Sequence, residues 1–351
     1  MRLKITQFFL WACIASGYAQ IPEYYSSIDF TASATGLKNQ LSELIQNTHT
    51  TQLNYTPDVW NLLKTSDLEN PGSSKMLLIY GYNDTDANAS TDRTRDKNLS
   101  CHTSDCNGLW VREHVFPRSL GTPNLGFENA GSDAHNLRPI DNQMNNSRSN
   151  RKFASGSGNA AIVANGNFYP GDEWKGDIAR MMMYMYLRYP NQCPATVIGT
   201  GSITYSSFND MPDIFLEWNQ QDPVSALERK RNDVIQVFQG NRNPFIDNPY
   251  LATLIWNGPE AENTWTALSI EKVEIAQWQI YPTVTTDKVY IKYETQNIPD
   301  QYQYQLYNMH GQLVIDGATS SEIDVSAYTP GIYILKIQAD NAVKTVRIIK
   351  K

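Results

Sequence analysis

Residues 110–121 read WVREHVFPRSLG and place His114 directly behind an arginine and a glutamate, in a chain with only five histidines. An imidazole near its unperturbed pKa of ~6.5 takes a proton from water well at neutral pH. A carboxylate and an amide oxygen are hard ligands for a divalent cation that keeps several of its waters. An arginine can stabilise charge building on a phosphate and its leaving oxygen. His114, Glu113, Asn145 and Arg148 supply these types, which together are what cutting a phosphodiester requires. Arg148 follows Asn145 by three residues, which on a helix puts both on one face.

The charge around these residues fits that chemistry locally and not globally. The formal net charge is -7, which excludes a bulk electrostatic case for nucleic-acid binding and leaves only a local patch. Between residues 112 and 152 six Arg and Lys stand against four acids. Arg112, Arg138 and Arg151 are therefore expected to touch a polyanionic substrate. Arg138, before Pro139, leaves a second reading open, that of a solvated side chain. His135 is expected to be a structural histidine beside the site, capped or oriented by Asp133. Trp110 reads as core. His49 and His102 lack companions and receive no role, and His310 reads as a loop residue.

These residues must be held by elements that the hydrophobic spacing outlines. Leu37, Leu41 and Leu44/Ile45 give residues 36–47 helical spacing. The run KMLLIYGYND predicts a short buried strand, and the polar stretch from Asn83 to Ser100 predicts an exposed loop. Ile178, Met181, Met182 and Met185 fall on one side of a helix over 174–188, where methionines read as core filler. Residues 222–239 predict another helix, with Asp222 as N-cap, Pro223 at its first position and Gly240 ending it. Asn243 and Asp247 read as turn-formers. One ambiguity concerns the strand carrying Glu113 and His114. Neighbours on a regular strand point to opposite faces, so both can serve one cluster only if the backbone is irregular or one acts through water. Pro117 suggests that this strand ends soon after.

The N-terminus, MRLKITQFFLWACIASGYAQ, predicts a signal peptide over 1–19 with cleavage after Ala19. A lipoprotein anchored at Cys13 is the weaker alternative, since Trp11 stands where a small residue is needed. No later segment is long and apolar enough to span a bilayer as a helix. Export favours a disulfide between Cys101 and Cys106 and leaves Cys193 odd; a zinc site on the C-x4-C pair is the alternative.

With those residues laid out, a resemblance becomes specific. REHVFPRS, SDAHNLRPIDNQMNNSRSNRKF, YPGDEWKGDIARMMMYM and QQDPVSALERKRNDVIQVFQGNRNPFIDNP resemble, in that order, the bacterial endonuclease I family, over roughly residues 37–256. The resemblance implies a ββα-metal (His-Me finger) nuclease that cuts DNA, and often RNA, without sequence preference. It implies Mg2+ or another divalent cation such as Mn2+ or Ca2+. Carried over, His114 matches the general base, and Glu113 and Asn145 match metal ligands, Asn145 lying on the helix of the ββα unit. Asn136 is the competing asparagine, assigned to substrate binding. On a continuous helix its nine-residue separation from Asn145 would turn the two apart.

From about residue 275 the composition changes to short alternating runs with turn residues between them, the pattern of a small β-sandwich. IYPTVTTDKVYI, YQLYNMHGQLV and YTPGIYILKI resemble the C-terminal sorting domain of type IX secretion; a carbohydrate- or surface-binding module is the alternative. The expected architecture is α+β: a mostly helical nuclease domain over 20–272 with a small ββα-metal site, then an all-β sandwich tail over 273–351. The expected protein is a secreted or cell-surface monomer with nucleic acid and the secretion machinery as partners. An extracellular ribonuclease on the same scaffold, or a non-catalytic DNA-binding surface protein, are the competing readings.

Overall fold

In a computed structural model of the chain, the structure describes residues 21–265, 278–293, 302–339 and 342–351. The expected signal peptide lies outside them. The chain divides into two compact units between Leu268 and Ser269.

In the first unit the chain runs through α1 (Ala34–Asn47), α2 (Asp58–Ser66), β1 (Lys75–Leu77), β2 (Thr94–Asp96) and β3 (Trp110–His114). It continues through β4 (Leu137–Asp141), α3 (Asn142–Arg148), β5 (Ala161–Ile162), β6 (Phe168–Tyr169) and α4 (Lys175–Arg188). The helices α5 (Asp213–Gln221), α6 (Ala226–Gln239), α7 (Pro244–Asp247) and α8 (Tyr250–Trp256) complete it. Three antiparallel strand pairs, β1–β2, β3–β4 and β5–β6, stand among the helices.

The apolar spacing of α1 buries Leu37, Leu41 and Ile45, and Ser33 caps the helix by accepting from the Gly36 amide. Helix α4 is buried on every side, with Met183 inside as well as the four residues expected there. An all-round buried helix is a central strut, and its methionines fill irregular space between neighbours. A second apolar cluster joins α2, β3, β4 and α6 through Leu62, Leu63, Trp110, Leu137 and Ile235. Cys101 and Cys106 form a disulfide, and Cys193 is a buried free thiol.

Two sequence expectations change here. Helix α6 starts at Ala226, not after Asp222, because Ser225 and Glu228 form a reciprocal capping box. Asp222 instead accepts from the Gly176 amide at 2.8 Å and so serves the first turn of α4. The polar stretch 83–100 is also more than an exposed loop. It contains β2 and buries Thr94 and Arg95, since Asp84 accepts from the Arg93 and Thr94 amides and turns the chain inward.

The second unit is all β: β7 (Trp278–Tyr281), β8 (Val284–Thr285), β9 (Lys288–Tyr293), β10 (Gln303–Asn308), β11 (Leu313–Ala318), β12 (Glu322–Asp324), β13 (Gly331–Ala339) and β14 (Ala342–Lys350). A five-stranded sheet of order β11-β10-β13-β14-β8 and a three-stranded sheet of order β12-β9-β7 share one core. Val289, Ile291 and Ile323 come from the smaller sheet, and Leu306, Leu335 and Ile348 from the larger. His310 is exposed in the turn between β10 and β11.

Candidate active site

The site is assembled by one strand pair and the helix that follows it. β3 and β4 are antiparallel with an unbroken register from Trp110 opposite Asp141 to His114 opposite Leu137. Helix α3 begins at once, because Asp141 accepts from the Gln143 and Met144 amides at 2.7 and 3.0 Å. The second carboxylate oxygen of Asp141 pairs with buried Arg95 at 2.6 Å, which pins the strand-to-helix corner.

Alternation along β3 sends Glu113 and His114 to opposite sides, as a regular strand must. They nevertheless border the same cleft of about 410 Å³, together with Arg112, Arg118 and Asn145. No irregularity is needed, since β3 ends at His114 and the cleft lies across its end. Glu113 turns toward Tyr80 and Arg148, with the Tyr80 hydroxyl at 3.3 Å and the Arg148 Nε at 3.4 Å. His114 turns the other way and stacks on Tyr55, ring centroids 5.4 Å apart and planes 20° off parallel.

The hydrogen bond of His114 fixes its proton. Nε2 lies 2.8 Å from the Gly131 carbonyl oxygen, which can only accept. Nε2 therefore carries the hydrogen, and Nδ1 keeps its lone pair. Burial holds the imidazole pKa down at about 4; Arg118 and Arg112 push the same way, and the Gly131 bond opposes them. The ring is neutral at pH 7 and able to accept a proton. Gly131 can be nothing larger, because a Cβ there would stand 2.3 Å from the Gly126 carbonyl oxygen.

Burial also pushes the Glu113 carboxyl up to about 7, against the opposing pull of Arg148 and the Tyr80 hydrogen bond. A buried carboxylate with two long polar contacts among the described residues suits an added cation. The Asn145 side chain makes no hydrogen bond among the described residues and offers an amide oxygen to the same cleft. No group of three or more His, Cys, Asp or Glu that could hold a metal occurs among the described residues. Two oxygen donors from the protein, with water and phosphate completing the shell, fit a hard cation such as Mg2+.

Four other sequence expectations are corrected. Arg138 does not face substrate: it is fully buried and paired with Asp67 at 3.0 Å and Asp177 at 2.8 Å. Asn136, expected to bind substrate, does not border the cleft and lies in a tight turn before β4. There it is buried, accepting from the Phe116 amide and donating to the Phe116 carbonyl, and so extends the strand pairing past His114. Arg148 is sealed from solvent, donating to the Ser149 and Val115 carbonyls and lying against Glu113, so it positions that carboxylate instead of reaching a phosphate. Arg151 is spent on the Ser147 and Gly166 carbonyls and does not border the cleft.

Arg112 borders the cleft, its guanidinium lying between Tyr55 and Trp60. His135 sits away from the cleft, buried against Tyr184, and Asp133 caps its turn by accepting from its amide. His49 does have a companion, Asp133 at 3.9 Å. The sequence reading missed Tyr55, Tyr80 and Gly131, and counted Arg118 in the basic stretch without giving it a role. Tyr55 and Tyr80 lie far from His114 in sequence and carry no spacing signal, whereas Gly131 between turn residues in ENAGSDA was a visible cue.

The chain is similar to known nucleases and, in its C-terminal part, to a sorting domain. Residues 33–250 match the family described as Endonuclease I, and residues 279–351 match the secretion system C-terminal sorting domain. An extracellular ribonuclease of Bacillus subtilis (strain 168) is 38% identical over 258 residues, 70% of this chain and 82% of the relative. An extracellular ribonuclease of Bacillus amyloliquefaciens is 37% identical over 238 residues, 64% and 75% of the two chains. A periplasmic deoxyribonuclease of Aeromonas hydrophila is 27% identical over 160 residues, 38% and 62%. The sorting domain and these relatives make the protein a secreted or cell-surface one. A family match over most of the chain, with a nuclease-named relative spanning it, settles the class: the chain belongs to the endonuclease I family and is an endonuclease.

Proposed function

We propose that this endonuclease hydrolyses phosphodiester bonds of both DNA and RNA without sequence preference, depends on a divalent cation and leaves 5′-phosphate products. The reading rests above all on His114: a neutral imidazole whose Nε2 hydrogen is committed to Gly131 and whose Nδ1 is left to take a proton. In this reading β3, β4 and α3 are a ββα-metal unit. His114 Nδ1 takes the proton of a water as that water attacks phosphorus. Tyr55, stacked on the ring, holds its plane, and the Gly131 carbonyl holds its tautomer. Glu113 and Asn145 would hold the cation, and Arg148 keeps the Glu113 carboxylate in place. When bound, the cation supplies Lewis-acid stabilisation of charge on the phosphate and leaving 3′-oxygen. Nucleases of this family generally use divalent metals, and the donor set favours a hard ion such as Mg2+. RNA and DNA both enter the substrate class because relatives carry the names ribonuclease and deoxyribonuclease.

The test is cutting of plasmid DNA and of single-stranded RNA with Mg2+, with chelator, and with His114→Ala. The expected result is Mg2+-dependent cutting of both that falls by about 10²–10⁴-fold in the variant, the usual contribution of a general base. A wild type that cuts neither nucleic acid under any divalent ion would sink the proposal, and a fully active His114→Ala would sink the assignment of the base.

A further inference from the structure

A second concavity of about 490 Å³ is bordered by Tyr55, Thr56, Phe127 and Asn129. Two contacts join it to the cleft of His114. Tyr55 stacks on His114 and also meets Phe127, ring centroids 4.8 Å apart. Arg118, which borders the cleft, lays its guanidinium over the Phe127 ring at 3.7 Å. The ring separations of 4.8 and 5.4 Å put Phe127 no more than about 10 Å from the imidazole.

Neither Phe127 nor Arg118 is satisfied by the protein. Phe127 is 52% exposed, although it stands among charged groups beside a polar cleft. The Arg118 guanidinium has no hydrogen-bond or carboxylate partner among the described residues, and its Nε is buried without one. Solvent does not reach the Nε, so it is the terminal N–H groups, unpaired among the described residues, that can meet an acceptor from outside. An aromatic face, a guanidinium plane lying on it and free N–H donors together are the recognition chemistry of an unstacked nucleobase and its phosphate.

Building on the reading of His114 as the phosphodiester site, we propose that Phe127 and Arg118 form a base-stacking subsite, with Tyr55, whose ring already carries Arg112 and His114, as its buttress. It takes the unpaired base of the nucleotide flanking the scissile phosphate, while Arg118 donates to that nucleotide's phosphate. A base in a duplex must first leave its stack, at a cost that an open strand avoids. The enzyme therefore prefers single strands over duplexes, in DNA and RNA alike, since stacking does not read the sugar.

Two measurements test this. The first is fluorescence anisotropy in the Glu113→Gln background, which leaves the Tyr55 stack untouched, with short labelled single strands of DNA, of RNA and of a base-free (abasic) backbone. Phe127→Ala is expected to weaken binding of both base-bearing strands by about ten-fold and leave the abasic strand unchanged, and Phe127→Trp to restore binding. Equal weakening of all three strands, or of none, overturns the subsite. A loss confined to one sugar overturns the sugar-blind form of the proposal. The second is the ratio of kcat/KM on single strands to that on duplexes for enzymes with native Glu113. It should fall about ten-fold in Phe127→Ala, mainly through the single-strand value. Cutting with an unchanged ratio rejects the subsite alone. Absence of cutting by the wild type rejects the nuclease reading, and the anisotropy still decides the subsite.

Discussion

Arg148 shows how far residue type alone carries an argument. Its spacing from Asn145 puts it on the right helix face, but its depth assigns the role: the guanidinium lies 3.4 Å from Glu113 with no solvent exposure. Removing one member of a buried charge pair leaves the other uncompensated, typically at about 3–5 kcal/mol. Arg148→Met should therefore lower stability by roughly 3 kcal/mol and abolish most cutting. Adding Glu113→Gln should recover part of the stability, since the stranded charge is gone, but none of the activity. The recovery stays partial because the Ser149 and Val115 carbonyls still lack their donor. Urea unfolding of the four proteins reads this cycle; a double variant whose loss equals the sum of the two single losses would mean the two side chains do not interact. At this scale the sequence singled out His114, Glu113 and Asn145 through a resemblance, and the structure places all three at one cleft. The sequence could not separate Arg138, paired with Asp67 and Asp177, from Arg112 at the cleft, because burial depends on partners distant in sequence.

Helices with several turns announced themselves; of the short strands, β1 and the one carrying Glu113 and His114 were outlined, but β2, β5 and β6 were not. The four-residue spacing in α1 and the stop at Gly240 were readable. β3 has the burial order buried, partial, partial, buried, partial, so its outline did not rest on the alternation by which a strand is recognised. The corner between β4 and α3 was likewise unread, although Asp141 there does two jobs. It caps α3 through Oδ1 and neutralises buried Arg95 through Oδ2. Asp141→Ala should cost about 1 kcal/mol for the cap and about as much again for the Arg95 contact, roughly 2 kcal/mol in all, since Asp92 at 2.9 Å still pairs with that arginine. It should also lower cutting, because the first turn of α3 sets the height of Asn145 against the end of β3. Asp141→Asn keeps a good cap and loses the charge, so its stability should fall between the two. Thermal midpoints with parallel nuclease assays would check the order; an Asn variant as unstable as Ala would place the whole loss on the Arg95 pair.

Across the whole molecule, the change of composition near residue 275 falls close to the division found at Leu268 and Ser269, because an all-β unit and a helical unit bury apolar residues at different periods. The net charge of -7 gave no hint of the polar centre of the first unit. There Asp133 is shared by distant elements: the Tyr184 and Tyr189 hydroxyls donate to it, Gln239 of α6 donates to it, and His49 and His135 lie beside it. Burial holds the His135 pKa down at about 4 against an ordinary 6.5, with Arg231 and His49 pushing the same way and Asp133 and the Asn241 carbonyl opposing. Burial likewise lowers the His49 pKa. A lowered histidine pKa means that the unfolded chain binds protons which the folded chain refuses. The stability from His135 is therefore complete above about pH 6.5 and is lost as pH falls toward 4. For this one group the loss should be on the order of 2 kcal/mol by about pH 5. Urea midpoints of the wild type at about pH 7.5 and pH 5 should differ in that direction. His135→Phe, which keeps the packing on Tyr184 and removes the titration, should flatten the difference even if its stability at the higher pH is lower. An unchanged pH dependence in His135→Phe would move the acid sensitivity to His49 and the carboxylates, and would leave His135 as a packing residue only.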